Sequence, residues 1–301
     1  MKNHVLALLL VLGSWTTPAV FAQEAALPPV TKTYVIQNVN IVTSPGEMIE
    51  RGAVVVKDGL IRAVGEEVDV PYDAKVIGAD SMYLYAGFID GLSHAGVKEE
   101  ESNNEGDNGN RRRRRPDVDD PGAPPPAMAG IQPGRSVSEL LDPSDRDLSA
   151  LRELGFTAAH IVPEDGMLPG AGALVLLAGE QADAMVLREN TSLFSTLDGA
   201  RGVYPATIMG VMSKWRELFR RARQRQAHAV LYAKDPSGLA RPPHDPVLDA
   251  FQPVLEGRRP VFFLSEDVKN IHRIYTLQEE LEFPLVLAGV KAGWHVADKI
   301  A

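Results

Sequence analysis

Residues 83–94 run YLYAGFIDGLSH, an apolar segment that predicts a strand and ends in polar residues. Side chains alternate faces along a strand, so residues two apart point the same way. We therefore expect Leu92 and His94 to share one face at the carboxyl end of this strand. The imidazole of His94 can bind a divalent metal ion, whereas the aliphatic side chain of Leu92 cannot.

The preceding residues predict a small antiparallel sheet over 31–80. Residues 34–42 and 53–56 are rich in Val and Ile, and residues 61–65 form a third β-type run. A hairpin between the last two runs is indicated by Asp58-Gly59, because this pair accepts the positive φ angles of a tight turn.

The following residues alternate between helical and strand patterns, which favours a parallel sheet with crossover helices. A long helix over 207–230 has an apolar stripe, and Asp267 is placed to cap a helix that ends near 282. The Gly-rich run 166–172 lacks the context of a dinucleotide site and is interpreted as a flexible loop. The other predicted elements are a helix at 144–154, strands at 157–162, 173–177, 260–264 and 285–289, and a last helix from about 293.

Residues 38–42, 52–65 and 86–90 resemble the opening of the amidohydrolase superfamily, and its imidazolonepropionase-like branch in particular. The resemblance implies an α/β fold, namely a partial TIM-type (β/α) barrel with a small N-terminal β-sandwich unit. It implies a β-sheet unit over 23–83, part of a composite sandwich, and an incomplete barrel over 84–301 with a disordered insert at 98–127. In the family, further barrel and sandwich strands follow the part that this chain matches.

The same resemblance implies a metal site. In the family the first barrel strand ends in a His-x-His pair that binds a divalent metal, zinc or similar, and a later strand ends in another ligand His. Here His94 is the matching ligand, while Leu92 and Leu264 occupy the other two positions. Catalytic residues are not assigned: Asp90, which matches an Asp of the family, is interpreted as a strand-end hydrogen-bond acceptor, and His160 as a structural residue near the same mouth.

Two functions remain open. The first is a metal-dependent hydrolase of C–N bonds in amides or cyclic amides, with a small molecule or peptide as substrate; a bound metal would lower the pKa of water and polarise the carbonyl. The two leucines predict that such catalysis is impaired. The second is a non-catalytic pseudoenzyme, a binding scaffold that pairs with an active paralogue or forms a homo-oligomer.

Composition excludes several other classes. The chain carries 31 Lys and Arg against 40 Asp and Glu, a net charge of −9, which argues against nucleic acid as a partner. Its lack of Cys excludes disulfides and thiolate sites. Residues 1–22 combine Lys2, a short apolar run and a Val20-Phe21-Ala22 cleavage pattern, which is typical of a signal peptide. We therefore expect a protein that is exported, periplasmic or secreted, without a membrane span.

The insert 98–127 contains the basic run Arg111–Arg115 between acidic flanks, and it follows the first predicted barrel strand. Its composition does not support a buried core, and the neighbouring acids neutralise the arginines. We expect the insert to lie above the entrance to the predicted active site, and this position leads to the hypothesis that it acts as a lid or as a docking tail.

Overall fold

The computed structural model describes residues 33–98 and 118–300, which divide into two compact units with a boundary between Ala86 and Gly87. This boundary lies three residues after the end of the predicted N-terminal unit. The predicted signal peptide and residues 99–117 of the predicted insert, with its arginine run, lie outside the described residues.

The first unit is a five-stranded sheet in which β3, β2, β1 and β4 lie side by side and β5 pairs with β1. The hairpin is confirmed: Asp58 and Gly59 have φ angles of 52° and 75°, and Lys57 pairs with Leu60. The strands are β1 (Thr33–Ser44), β2 (Glu47–Lys57), β3 (Leu60–Gly65), β4 (Lys75–Gly78) and β5 (Tyr83–Leu84).

The prediction of an antiparallel sheet over 31–80 is right for β1, β2 and β3 and wrong for β4, which runs parallel to β1. Strand β5, beyond the predicted range, also runs parallel to β1. Because β3 and β4 lie on opposite sides of the β2–β1 pair, residues 66–74 cross the sheet between them. The chain then enters β4 in the direction of β1.

The second unit contains a six-stranded sheet in the order β11, β10, β9, β8, β7, β6. The described strands form an open sheet and not a closed barrel. Its strands are β6 (Phe88–Ser93), β7 (Phe156–Ile161), β8 (Gly170–Leu176), β9 (Val186–Ser195), β10 (Val261–Leu264) and β11 (Leu285–Ala288). Its helices are α1 (Val137–Leu140), α2 (Arg146–Glu153), α3 (Ala182–Met185), α4 (Ile208–Lys234), α5 (Pro246–Asp249), α6 (Gln252–Leu255), α7 (Val268–Leu281) and α8 (Ala297–Ile300), the last preceded by a 3₁₀ turn at Gly293–Val296.

Strand β8 contradicts the prediction of a uniformly parallel sheet, because it runs antiparallel to both β7 and β9. The connection from β7 to β8, residues 162–169, contains no helix. A parallel crossover needs a dozen or more residues, so this short connection requires the chain to reverse. The prediction of a flexible loop over the Gly-rich run 166–172 is wrong for residues 170–172, which begin β8, and Met167 and Leu168 before them are fully buried.

The stretch 83–94 forms two strands and not one. Strand β5 ends at Leu84 in the first unit, and β6 begins at Phe88 in the second. The helix predicted at 144–154 is α2 and is shorter than expected, because Asp145 caps its start and it ends at Glu153. Leu154, which follows it, is 70% exposed. The described part of the predicted insert, residues 118–127, follows an irregular path with turn hydrogen bonds such as Ala123 N to Asp120 O, at 3.1 Å.

The predicted long helix is confirmed as α4, and its buried residues pack on one face of the larger sheet. Thr207 caps α4 by accepting from Gly210 N at 3.2 Å, and Asp267 caps α7 as predicted. The large residues of this core are Trp215, Phe219, Phe251, Phe263 and Phe283. Among the described helices, none combines the length and apolar character that crossing a bilayer requires.

Trp215 lies at the centre of this core. Its ring is fully buried and contacts Phe251, Phe263 and Phe283 at centroid distances of 5.4 to 5.5 Å. Its Nε1 donates a hydrogen bond to Ser195 Oγ at 3.0 Å, so the indole connects α4 to the end of β9. This indole combines a large buried apolar surface with a satisfied polar atom.

We predict that Trp215→Phe lowers the free energy of unfolding by about 2 kcal/mol, because it removes the hydrogen bond to Ser195 and leaves a small cavity. Guanidinium unfolding followed by far-UV circular dichroism measures this change. The matched control is Trp294→Phe, since Trp294 is 73% exposed, and its effect should stay within about 0.5 kcal/mol. Equal effects of the two substitutions would contradict the central role of Trp215.

Candidate functional site

The larger sheet has two faces with different roles. Leu193, Val261 and Phe263 belong to the core that contains α4 and α7, and we call this the outer face. The side chains that alternate with these residues along the strands point to the opposite face of the sheet, which we call the inner face. Phe194 pairs with Phe262 across β9 and β10 and lies on that inner face.

His94 lies at the carboxyl end of β6 on the inner face, where its ring contacts Phe194 edge-on at 5.6 Å. Its Nδ1 lies 2.9 Å from Val162 O, the backbone oxygen just after β7, and 3.6 Å from the Glu164 carboxylate. A neutral ring that donates from Nδ1 to this carbonyl directs the lone pair of Nε2 away from it. His94 also borders an open depression of about 610 Å³ shared with Glu164 and the start of α2.

The register of β6 supports the predicted relation between residues 92 and 94. Ser93 pairs with Ile161, whose side chain lies in the core beside α2. Its neighbours Leu92 and His94 are therefore expected on the opposite face, which is the inner face. The pairing slips by one residue between Asp90 and Ser93, so this conclusion depends on the pair at Ser93 and not on alternation from the strand's start.

Leu264 occupies the carboxyl end of β10, two residues after Phe262, and so points to the inner face. A Cβ atom built on Gly289 would lie only 2.5 Å from Leu264 Cδ1, which shows that the leucine side chain covers the backbone at the end of β11. The position that the resemblance assigns to a ligand His is therefore filled by packed hydrocarbon.

His160 forms the most buried polar cluster of the inner face. It is 8% exposed and its ring packs against Phe262 at a centroid distance of 4.5 Å. Its Nδ1 lies 3.2 Å from Gly91 O, and its Nε2 lies 3.1 Å from Ser192 Oγ and 3.0 Å from Thr191 Oγ1. Thr191 Oγ1 donates to Gly172 O at 2.9 Å, so in a neutral ring that donates from Nδ1 to Gly91 O, Ser192 is the hydroxyl that donates to Nε2.

Burial lowers the pKa of His160, since a charged imidazolium loses hydration inside the protein, while the hydrogen bond to Gly91 O partly opposes this effect. The neutral form has both ring nitrogens satisfied. Gly172 is required for this packing, because a Cβ atom there would lie 2.5 Å from both His160 Nε2 and Ser192 Oγ. The cluster is thus arranged around an uncharged histidine, in agreement with its interpretation as a structural residue.

Sequence reasoning singled out His160 but missed Ser192 and Thr191. The two hydroxyl residues lie in β9, a strand that was not predicted because Arg188, Glu189 and Asn190 interrupt its apolar pattern. His160 lies more than 30 positions before Thr191 and Ser192, and no spacing pattern in the sequence links residues so far apart.

Asp90 accepts a hydrogen bond from Leu92 N at 3.2 Å, which is a local contact at the end of the strand.

The other histidines within the described residues do not join the inner face. His244 Nδ1 contacts Asp249 at 2.9 Å, and the neighbouring Asp245 caps α5. His272 and His295 are exposed, and His228 lies on the long helix α4.

The described residues do not fit a complete metal centre. Within 33–98 and 118–300, no group of three or more His, Asp or Glu side chains converges in a way that could hold an ion. Among the described histidines, His94 has the arrangement of a ligand, since its Nδ1 is anchored on a backbone carbonyl and no contact of its Nε2 with the described residues competes with an ion. Leu92 and Leu264 supply no further donor atom.

Comparison with known proteins defines the fold more closely. Neither a protein-family model nor a curated protein matches this chain. Among solved structures, it is similar to an amidohydrolase from Thermotoga maritima MSB8, with a TM-score of 0.70 and 21% identity over 89% of this chain and 67% of that chain. A prolidase complexed with N-methylphosphonate-L-proline has a TM-score of only 0.32 and 13% identity, over 82% of this chain and 59% of that chain. The fold is therefore of the amidohydrolase type, which implies a TIM-like arrangement of the larger unit.

The lowered pKa of His160 has a consequence for stability. A histidine whose pKa is lower in the folded than in the unfolded chain binds fewer protons when folded between the two values. We therefore predict that the free energy of unfolding falls as the pH falls from about 7.5 through about 6.5, the ordinary histidine pKa. Carboxylates with lowered pKa values, such as Glu280, which Arg216 hydrogen-bonds, lose their contribution only at lower pH.

Urea unfolding of wild type and His160→Gln at pH 7.5, 6.5 and 5.5 checks this prediction. The variant should be less stable at pH 7.5 and should show a flatter dependence on pH. His272→Gln is the matched control, because His272 is exposed on α7 and should leave the wild-type slope unchanged. A wild-type slope in His160→Gln would show that another group is responsible.

Proposed function

We propose that this chain is an amidohydrolase-type binding scaffold that lacks a working metal centre of its own. Its ligand, a small molecule or peptide, binds beside His94 at the carboxyl ends of β6 and β7. The protein is exported, periplasmic or secreted, and acts by holding this ligand or by pairing with an active paralogous chain. A second copy of the chain is the other partner that we propose.

The observation that carries this proposal is the aliphatic character of Leu92 and Leu264. One lost ligand can be replaced by a neighbouring donor, but two apolar replacements on one face remove donor atoms from both sides of the site. Leucine also excludes water from the space that a hydrated ion needs. The contact between Leu264 and Gly289 supports the idea of a packed position.

Binding is supported by the depression beside His94. Its volume of about 610 Å³ falls within the range of small-molecule sites, roughly 300 to 1,000 Å³. Its lining combines polar groups, including Glu164 and Asp147, with the apolar side chains of Val97 and Leu151. Such a surface can orient a ligand without reacting with it.

A metal-dependent hydrolase of C–N bonds is the second candidate, and the anchored ring of His94 favours it. Histidines that bind metals commonly donate their other ring nitrogen to a carbonyl or carboxylate. Val162 O supplies that contact here, at 2.9 Å. In this alternative, zinc or a similar divalent ion would bind His94, and groups other than Leu92 and Leu264 would supply its remaining ligands.

Metal analysis of the purified protein separates the two candidates. We predict that wild type retains well under one zinc, iron or manganese ion per chain after dialysis, measured by plasma mass spectrometry. The scaffold proposal would be wrong if wild type held about one ion per chain and His94→Ala lost it while His272→Ala did not. Hydrolysis of amide and cyclic-amide substrates by the wild-type protein, abolished by His94→Ala, would contradict it as well.

A gain-of-binding variant tests the geometry directly. Because residues 92 and 94 share a face, Leu92→His should create a two-histidine site and strengthen zinc binding by at least about tenfold, or about 1.4 kcal/mol. Competition with a fluorescent zinc chelator measures this. Leu154→His is the control, since it adds a lone histidine at an exposed position. Equal affinities for the two variants would place residue 92 away from His94.

A further inference from the structure

A second cavity lies on the α4 side of the larger unit, away from the inner face. It has a volume of about 160 Å³ and is lined by residues from 122–131, by Tyr204, by the first half of α4 and by the residues around the start of α5. We call it the proline-roofed cavity, because Pro124 and Pro126 cover it. No part of the proposed function uses it.

The floor of the proline-roofed cavity is rigid and apolar. Ile131 and Leu218, which are 2% and 3% exposed, line it and belong to the same core as Trp215. The roof is also held in place, because Ile131 N donates to Pro126 O at 2.9 Å and Tyr204 N donates to Pro121 O at 2.8 Å. A preformed apolar cavity with fixed walls takes a ligand without a large ordering penalty.

The rim of the cavity offers more hydrogen-bond donors than acceptors. Lys214 Nζ contacts the two Glu217 oxygens at 3.0 and 3.1 Å, and an ammonium group has three donors. Arg221 lies 3.4 Å from Glu217 and 3.6 Å from Asp245, and a guanidinium has five donors. Lys214 and Arg221 thus retain donors for a further acceptor.

Asp245 does not reverse this balance. Its Oδ1 accepts from Val247 N and Leu248 N, each at 3.1 Å, and its Oδ2 faces Arg221. Asp245 thus caps α5 through Oδ1, and its Oδ2 forms a longer ion pair with Arg221. A ligand with an ammonium group would meet two cations at the rim, whereas an anion would meet the donors that Lys214 and Arg221 do not use for Glu217.

We propose that the proline-roofed cavity binds a small monocarboxylate with a compact apolar body. The carboxylate accepts hydrogen bonds from Lys214 and Arg221, and the body packs against Leu218 and Ile131 beneath the prolines. The size agrees with this class, since a cavity of roughly 150 Å³ accommodates a molecule as large as benzene. The carboxylate belongs either to a free acid or to the C-terminal residue of a peptide, and both present the same chemistry.

Benzoate is a suitable probe, and isothermal titration calorimetry on the full chain measures its binding. We expect saturable binding at one site. Benzamide, which has the same shape without the charge, should bind at least about tenfold more weakly, because charge-assisted hydrogen bonds are worth about 1.5 to 3 kcal/mol. A tripeptide ending in Phe with a free C-terminus, compared with its amidated form, distinguishes a peptide source from a free acid.

Two variants locate the binding. Lys214→Met should weaken benzoate binding by at least about tenfold, while Lys234→Met, on the same helix and outside the cavity, should leave it unchanged. Ala123→Phe places a ring at the cavity wall from an exposed position and should block binding with both cations intact. Circular dichroism melting curves confirm that each variant is folded.

The proposal is overturned if wild type shows no saturable binding of benzoate, or if benzamide binds equally well. It is also overturned if both Lys214→Met and Ala123→Phe bind benzoate like wild type, since the ligand then lies elsewhere. These outcomes are independent of zinc content and of His94, so failure here leaves the proposed function untouched.

Discussion

Packing of the larger sheet against α4 and α7 determines which side chains face inward. Leu193, Val261 and Phe263 are buried on the helices, and strand alternation then places Phe194 and Phe262 on the opposite face. Trp215 strengthens this arrangement, because its indole contacts the core rings and hydrogen-bonds Ser195 at the end of β9. The chemistry available on the inner face is thus a consequence of apolar burial on the outer face.

Local features of the fold could be predicted from sequence where one residue type has a strong conformational preference. Asp58-Gly59 identified the hairpin, Asp267 identified the start of α7, and the apolar stripe through Trp215 identified α4. The orientation of β8 could not be predicted in the same way. Its direction follows from the short connection after β7, and the apolar sequence of a strand does not distinguish a parallel from an antiparallel neighbour. Strand β9 escaped prediction because its first half is charged and exposed.

For the candidate site, the sequence predicts which side chains of a single strand share a face, because side chains alternate along that strand. It does not predict the partners from other strands. Leu92, His94 and Leu264 were singled out because the family resemblance assigns metal ligands to their positions, each at the end of a predicted apolar strand. The partners that fix His94 and His160 come from other strands: Val162 O follows β7, and Ser192 lies in β9. Such contacts depend on which strands are neighbours and on the register in which they pair. Both are properties of the whole fold and cannot be derived from the local sequence of one strand.

The Ser192–His160 pair illustrates why a suggestive pair of side chains has to be weighed against burial. A serine that donates to a histidine is the beginning of a nucleophilic site, but a nucleophile must reach its substrate. Ser192 is fully buried, and Gly172 packs against both side chains so closely that even a methyl group would collide with them. The pair therefore joins β7 to β9 as a neutral, satisfied polar contact. The partly exposed Phe262 and Leu264 also lie on the inner face, and their apolar surface suits retention of an apolar group better than attack upon it.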